Sequence, residues 1–179
     1  MQILGIAGSL RSGSVNERLL RLAADTLPDG VELAVWEGLR DVPPFDEDSE
    51  ATPSVAVASL RSAVAAADAV LIATPEYNGS IPGTLKNALD WGSRPGATNV
   101  FRGKPVAVIG ASPGAFGGVW AHEETRKVLG IMGARVVDAG FSLGKAPDRL
   151  AAPDDELHGQ LREVVETLVA EATIRAAAA

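Results

Sequence analysis

The segment Ala69-Val-Leu-Ile-Ala-Thr74 is apolar at nearly every position and decides the fold class. A strand that is apolar throughout, and not only at alternate positions, has both faces covered, which is typical of a parallel sheet between two helix layers. Pro105-Val-Ala-Val-Ile-Gly-Ala111 is a second segment of this kind. Three less distinct strands are predicted over 3–7, 31–36 and 134–137, the last extended to about Phe141.

Between these strands, apolar residues recur at the spacing of an α-helix. Helical segments are predicted around 19–27, 57–64, 85–89, 125–132 and 157–169, and the alanine-rich end of the chain is expected to fray over about 172–179. The alternation of strand and helix predicts one α/β domain over 1–179, a flavodoxin-like three-layer sandwich with a five-stranded parallel sheet and helices on both faces. Ligands of such folds bind at the carboxyl ends of the strands.

Composition excludes several classes of protein. The 179 residues include no cysteine and two histidines, which excludes disulfides and thiolate chemistry and leaves little for a zinc site. The net charge of −7 argues against partners such as nucleic acid or a membrane surface. No apolar run approaches the roughly 20 residues of a membrane span, and Met1 leads directly into a predicted strand. We therefore expect a cytoplasmic protein without a signal peptide.

A turn rich in glycine and serine follows the first predicted strand and reads Gly8-Ser-Leu-Arg-Ser-Gly-Ser-Val-Asn16. Ser14 and Glu17 have capping-box spacing, so a helix is expected to begin at about Val15. Backbone N–H groups and the helix dipole at such a turn favour a phosphate. Side-chain donors that could join them are Ser9, Arg11, Ser14 and Asn16.

The alternative for this turn is an ordinary capped helix start with a solvated Arg11. The turn has neither the Gly-x-Gly-x-x-Gly pattern of dinucleotide sites nor the Lys-Ser/Thr of a Walker loop. If it binds a phosphate, a mononucleotide such as flavin mononucleotide (FMN) is therefore favoured over ATP.

A proline-bounded turn follows the third predicted strand, within Pro75-Glu-Tyr-Asn-Gly-Ser-Ile-Pro-Gly-Thr-Leu-Lys-Asn-Ala-Leu-Asp-Trp91. Pro75 keeps the preceding residue extended, and Pro82 suits the first turn of the next helix. The turn is predicted to be stiff, with backbone N–H groups free to bind the edge of a planar heterocycle. Simpler interpretations are a packed Tyr77, a surface ion pair between Lys86 and Asp90, and a Trp91 in the core or at an interface.

A possible hydrolase motif lies after the fourth strand. Gly110-Ala-Ser-Pro-Gly114 has the Gly-x-Ser-x-Gly pattern, and Asp138 and His158 follow in the chain order of an α/β-hydrolase triad. The residue after the serine donates to the oxyanion in that fold, but here it is Pro113, which has no N–H. Losing such a donor costs about 10²–10³ in rate, so a hydrolase is not expected. The glycines after Ser112 instead suggest a third wall for a ligand.

The order and spacing of these motifs resemble those of the NADPH-dependent FMN reductase family. The resemblance also includes Gly103-Lys-Pro-Val106 and the glycines 117 and 118. That family includes bacterial chromate and quinone reductases and related azoreductases. The resemblance covers roughly residues 1–140 and implies a flavodoxin-like fold that binds FMN without a covalent link. The pieces 115–116 and 120–124 depart from the family pattern.

The resemblance also implies roles for individual residues. The FMN phosphate would be held by Ser9, Arg11, Ser14, Val15 and Asn16. The isoalloxazine would be lined by Pro75, Glu76, Tyr77, Asn78 and Gly79, and its other edge closed by Ser112, Gly114 and Gly117. Family members are commonly homodimers or homotetramers with the flavin near the interface.

The implied activity is an NAD(P)H oxidoreductase that passes a hydride from NADPH or NADH to FMN and then reduces a small-molecule acceptor by ping-pong kinetics. A quinone, chromate, an azo compound or free flavin would each suit as the acceptor, and no protein residue is needed as a nucleophile. The alternatives are a non-enzymatic flavodoxin-type electron carrier and a module that kept the fold but lost the site. No basic cluster that would bind the 2′-phosphate of NADPH is evident in the sequence. The long segment 37–53 is expected to be a surface loop.

Overall fold

The computed structural model describes residues 1–178 as a parallel sheet enclosed by two helix layers. The strands are β1 (Gln2–Ala7), β2 (Glu32–Trp36), β3 (Ala69–Thr74), β4 (Pro105–Ala111), β5 (Arg135–Val136) and β6 (Ser142–Leu143). The helices are α1 (Val15–Ala24), α2 (Val55–Ala66), α3 (Gly83–Ser93), α4 (Val119–Ile131), α5 (Ala146–Ala151) and α6 (Asp155–Ala177). The strand order is β2-β1-β3-β4-β5, with β6 also paired to β4. This is the predicted flavodoxin-like arrangement.

The predicted parallel sheet is confirmed, and its fifth strand is divided into the short strands β5 and β6. The two short strands pair with opposite ends of β4, at Val106↔Val136 and at Gly110↔Ser142. Between them, the carbonyl oxygen of Val108 lies 2.9 Å from Nε2 of His122. Because a histidine from α4 occupies this acceptor in the middle of β4, the neighbouring segment is not held to β4 along its whole length.

The sheet separates two apolar layers, as the continuous apolar strands require. One layer joins the sheet to α1, α5 and α6, and its fully buried members include Leu19, Leu157 and Leu168. The other joins the sheet to α2, α3 and α4 through residues such as Leu60 and Leu85. With both faces covered, a ligand has access to the sheet at its edges and at the ends of its strands.

The structure describes the alanine-rich end of the chain, for which fraying over about 172–179 is predicted, as far as residue 178. Helix α6 continues to Ala177, and Ala172 is buried in the apolar layer that α6 shares with α1. That burial stabilises the last turns, because helices gain most of their stability from packing an apolar face. Residue 179 lies outside the described residues. Among those described, no helix is both long and apolar enough to cross a membrane.

The long segment 37–53 is organised by contacts with α3. The carbonyl oxygen of Pro43 accepts hydrogen bonds from Asn87 Nδ2 at 2.8 Å and from Trp91 Nε1 at 2.9 Å. The ring of Phe45 packs edge-on against Trp91, and its N–H donates to Asn87 Oδ1. The segment contains two short 3₁₀ turns and serves as a strap across α3.

Candidate functional site at the carboxyl edge of the sheet

Three turns meet at the carboxyl edge of the sheet. We call them the first turn (residues 8–16, after β1), the second turn (75–80, after β3) and the third turn (112–118, after β4). A Cβ built on Gly8 would lie 3.1 Å from Pro75, so the first two turns are in contact. A Cβ on Gly118 would lie 3.4 Å from that of Glu76, which brings the second and third turns together. The predicted convergence of these segments is therefore present.

The first turn is joined to the end of β4 by a buried side chain. Asn16 Nδ2 donates to the carbonyl oxygen of Ala111 at 2.9 Å, and the N–H of Ala111 donates back to Asn16 Oδ1 at 3.0 Å. Asn16 is 1% exposed. Its amide is thus bonded to β4 inside the protein through Oδ1 and one of its two N–H groups.

Ser14 begins helix α1 as predicted. Its Oγ accepts hydrogen bonds from the N–H groups of Asn16 and Glu17, and the helix starts at Val15. The capping box is only half formed, because the Glu17 carboxylate pairs with Arg21 at 2.6 Å and does not reach back to Ser14. Ser14 therefore fixes the orientation of the backbone N–H groups at the start of helix α1.

Unpaired donors collect on the first turn. Within residues 1–178, the backbone N–H groups of Ser9, Leu10, Ser12 and Gly13 donate no hydrogen bond. The guanidinium of the exposed Arg11 likewise contacts no acceptor in this part of the chain. Free N–H groups, a cation and a helix N-terminus on one turn are features that favour an anion.

The second turn is stiff and partly left-handed. Pro75 is buried, whereas Tyr77 is 53% exposed. Tyr77 and Ser80 exchange backbone hydrogen bonds across the turn, and Asn78 and Gly79 both have positive φ angles of 54° and 73°. The backbone N–H groups of residues 76, 78 and 79 have no acceptor within the described chain, so they are available at the rim.

Glu76 is directed towards α4. Its Oε2 accepts hydrogen bonds from the N–H groups of Trp120 at 3.0 Å and Ala121 at 3.2 Å. Gly118 is the N-cap residue of α4 and has no side chain to accept a hydrogen bond, so Glu76 supplies the missing acceptor from another turn. This carboxylate therefore stabilises the contact between the second and third turns.

The third turn is fixed against β6 and α5. The N–H of Ser112 donates to Leu143 O, and Ser112 O accepts from the N–H of Ala146. Gly117 has a φ of 67°, and a Cβ there would lie 2.7 Å from the carbonyl carbon of Leu143. Gly114 is exposed and meets no such obstacle. A side chain at Gly117 would thus push this wall of the site away from the sheet.

Sequence reasoning missed Glu124, which holds the second turn from α4. Its Oε2 accepts hydrogen bonds from Ser80 Oγ at 2.7 Å and from the N–H of Ile81 at 3.1 Å. Those two hydrogen bonds hold the pKa of Glu124 below its ordinary value. Glu124 and Ser80 are 44 residues apart, a separation that no local spacing rule covers. The available signal in the sequence was that residues 120–124 depart from the pattern of the resembled family.

The residues of the possible hydrolase triad do not assemble. Asp138 Oδ1 contacts Arg126 at 3.3 Å, and His158 Nδ1 lies 2.9 Å from the carbonyl oxygen of Asp154. Neither side chain is hydrogen-bonded to Ser112. Residues 1–178 also contain no cluster of three or more His, Asp or Glu side chains that could hold a metal.

Comparison with known proteins gives consistent matches. The family model described as NADPH-dependent FMN reductase matches residues 1–148. A relative from Pseudomonas aeruginosa, named an NAD(P)H-dependent FMN reductase, is 45% identical over 130 residues, which cover 72% of this chain and 69% of the relative. A protein from Escherichia coli K12 named quinone reductase is 36% identical over 147 residues, 80% of this chain and 77% of the relative.

Solved structures agree with these sequence matches. FerB from Paracoccus denitrificans, described as a flavoenzyme NAD(P)H:(acceptor) oxidoreductase, has a TM-score of 0.79 and 28% identity, covering 95% of this chain and 98% of its own. A flavodoxin from Pseudomonas aeruginosa has a TM-score of 0.57 at 20% identity, with coverage of 94% and 99%. The second likeness shows the fold alone.

Proposed function

Because the chain belongs to the NADPH-dependent FMN reductase family, we propose that its three turns hold FMN and that it works as an NAD(P)H-dependent FMN and quinone reductase. The observation that carries this proposal is the group of unpaired backbone donors on turns that meet at one edge of the sheet. Flavodoxin-like folds bind their ligand at this edge, where the connections of neighbouring strands diverge.

The donor set fits FMN at both of its ends. A phosphate needs several N–H groups and a positive charge, which the first turn supplies through residues 9–13 and the free guanidinium of Arg11. An isoalloxazine edge needs a few fixed donors and acceptors beside a flat surface, which the second turn offers at Glu76, Asn78 and Gly79. The third turn, with Ser112, Gly114 and Gly117, would close the remaining side.

The roles of two family-matched residues are refined by their contacts. Ser14 and Asn16 would act through the backbone they fix, because the Ser14 hydroxyl oxygen accepts from the helix and the Asn16 amide is bonded to Ala111. Val15 would contribute its N–H at the helix start. Arg11 and Ser9 would remain the side chains in contact with phosphate.

Bound FMN would supply the redox chemistry, accepting a hydride from the nicotinamide and passing the electrons on to an acceptor. The protein's part is to orient the ring and to support negative charge along its edge with the N–H groups of the second turn. No side chain is required as a nucleophile. One open face used in turn by donor and acceptor accounts for the proposed ping-pong kinetics.

A quinone is the proposed acceptor. Relatives that bear the name quinone reductase support it, as do three exposed aromatic side chains of the second and third turns and the start of α4: Tyr77, Phe116 and Trp120. The rings of Phe116 and Trp120 are 5.6 Å apart. Such rings offer flat apolar contacts to a planar acceptor.

We further propose a cytoplasmic homodimer or homotetramer. Exposed aromatic clusters on a folded protein commonly mark an interface, and Ile131 at the end of α4 is also 78% exposed. Light scattering coupled to gel filtration measures the assembly directly. A monomer at micromolar concentration would contradict this part of the proposal.

Anaerobic stopped-flow mixing tests the enzyme function. FMN-loaded protein is mixed with NADPH or NADH, and the flavin absorbance is followed; rapid bleaching is expected, followed by recovery when a benzoquinone is added. Protein with Arg11→Gln should need a higher FMN concentration for loading but bleach normally once loaded. A flavin that neither nicotinamide bleaches would instead favour the electron carrier, and protein that does not take up FMN would favour the module without a site.

A further inference from the structure

A second cleft lies on the other side of the first turn, and we call it the β2 cleft. It has a volume of about 260 Å³ and is formed between the first turn and the segment that follows β2. Its lining includes the apolar side chains of Leu10, Val35 and Leu39, and the indole ring of Trp36. An apolar floor beside an aromatic ring is suited to a planar heterocycle.

Gly38 allows the indole to take its place in this wall. A Cβ on Gly38 would lie 2.8 Å from Cε2 of the Trp36 ring, so a side chain there would displace the ring. The indole Nε1 also donates to Ser59 Oγ of α2 at 3.4 Å. The ring is therefore held in position before any ligand arrives.

Arg40 places a cation at the mouth of the same cleft. It lies in the 3₁₀ turn after β2, which Leu39 anchors with 4% exposure. Its Nη2 donates to the carbonyl oxygen of Leu10 at 2.5 Å, so the guanidinium is fixed across the cleft from the first turn. Because a guanidinium carries five N–H donors, the remaining ones are available to an anion.

The β2 cleft is lined by equal numbers of positive and negative side chains. Arg11 and Arg40 line it together with Glu17 and Glu37. Glu17 is paired with Arg21 at 2.6 Å, and Glu37 also lies close enough to interact with Arg21. Because Glu17 is paired with Arg21 outside the lining, Arg11 and Arg40 face Glu37 in the cleft.

The β2 cleft adjoins the proposed flavin site, because Ser9 and Arg11 of the first turn also line the cleft. FMN in this fold occupies the junction of β1 and β3, whereas the β2 cleft lies over the ends of β1 and β2. In dinucleotide-binding α/β folds, a residue near the end of the second strand reads the adenosine ribose. A carboxylate there accepts from a 2′-hydroxyl, and an arginine accommodates a 2′-phosphate.

We propose that the β2 cleft binds the 2′-phosphoadenosine part of NADPH, with the adenine against Trp36 and the 2′-phosphate on Arg40. This inference rests on the proposed function, because it adds the source of a preference for NADPH over NADH. Arg40 is a binding residue in this account and takes no part in the chemical step.

Titration calorimetry on FMN-loaded protein tests the proposal without relying on turnover. Adenosine 2′,5′-bisphosphate should bind at least about tenfold more tightly than adenosine 5′-monophosphate, the size of effect of one charged hydrogen bond. Arg40→Gln should remove this difference, Arg40→Lys should restore part of it, and Arg162→Gln on the exposed face of α6 should leave it unchanged. Quenching of tryptophan fluorescence by either nucleotide should disappear in Trp36→Phe.

Three results would overturn the proposal: equal binding of the two nucleotides, an unchanged preference in Arg40→Gln, or competition between the bisphosphate and FMN. The last would place the nucleotide on the flavin phosphate turn. Bleaching of the flavin by NADH, which has no 2′-phosphate, reports on the proposed function separately. If NADH bleaches the flavin while the binding preference is missing, only the adenosine site is wrong.

Discussion

Asn16 holds the first turn of the candidate site in place, because its buried amide joins this turn to the end of β4 with two hydrogen bonds. Asn16→Ala would leave the N–H and the carbonyl of Ala111 without partners. A loss of about 2–3 kcal/mol in the free energy of unfolding is expected, since each unpaired buried group costs about 1–3 kcal/mol. Urea unfolding measures this loss.

The control for Asn16 is Ser12→Ala, an exposed position in the same turn. It should change the free energy of unfolding by less than about 0.5 kcal/mol. Equal stabilities for the two variants would show that the contact between Asn16 and Ala111 contributes nothing.

His122 makes stability depend on pH. Burial lowers the pKa of His122 below its ordinary value of 6.5, and the contact with Val108 O opposes this only in part. The unfolded chain therefore takes up a proton at His122 more readily than the folded protein does. This contribution to stability is complete above about pH 6.5 and is lost as the pH falls through the lowered pKa.

Thermal unfolding between pH 7.5 and 5 measures that dependence. His122→Gln should be less stable at neutral pH and show a shallower fall towards pH 5. The matched control, His158→Gln, replaces an imidazole on the outer side of α6 and should keep the wild-type slope. An unchanged slope in His122→Gln would contradict the assignment.

At the scale of elements, two glycines of the third turn should respond differently to an added methyl group. Gly117→Ala places a Cβ 2.5 Å from Ser142 O at a φ of 67°, so the turn must move away from β6. A loss of at least about 1–2 kcal/mol and weaker FMN binding are expected. Gly114→Ala, with its nearest obstacle at 3.6 Å, should change stability little. Urea unfolding and fluorescence titration with FMN compare them.

Glu76 gives a second prediction for elements, since it caps α4 from a neighbouring turn. Glu76→Ala should cost about 1 kcal/mol, as loss of an N-cap does, and Glu76→Gln should cost less because an amide oxygen still accepts. Urea unfolding of both variants is the measurement. If Ala and Gln behave alike, the carboxylate oxygen is not acting as a cap.

The predictable and unpredictable elements differ in the range of the contacts that define them. The start of α1 followed from Ser14 and Glu17, which are three residues apart, and the bounds of β3 and β4 followed from continuous apolar runs. The division into β5 and β6 depends on His122 and Val108 meeting across 14 residues. The roles of Asn16 and Glu124 depend on partners 95 and 44 residues away, which no local pattern reveals.

For the whole molecule, FMN binding and folding should be linked. A ligand that binds only the folded state adds about 2.7 kcal/mol at a concentration one hundred times its dissociation constant. Thermal unfolding of FMN-free protein should therefore shift upwards with added FMN, and the shift should shrink in Arg11→Gln. Riboflavin, which lacks the phosphate, is the control and should stabilise much less. Equal shifts from the two flavins would contradict a phosphate site on the first turn.

Helix α6 lies beyond residue 148, where the match to the family model ends, yet its buried residues from Leu157 to Ala172 cover one face of the sheet. During synthesis this segment leaves the ribosome after every strand has emerged. Until then the nascent sheet exposes a hydrophobic surface on that side, to which chaperones or other incompletely folded chains can bind. Folding of α6 onto the sheet thus removes this exposed apolar surface and the risk of aggregation that comes with it.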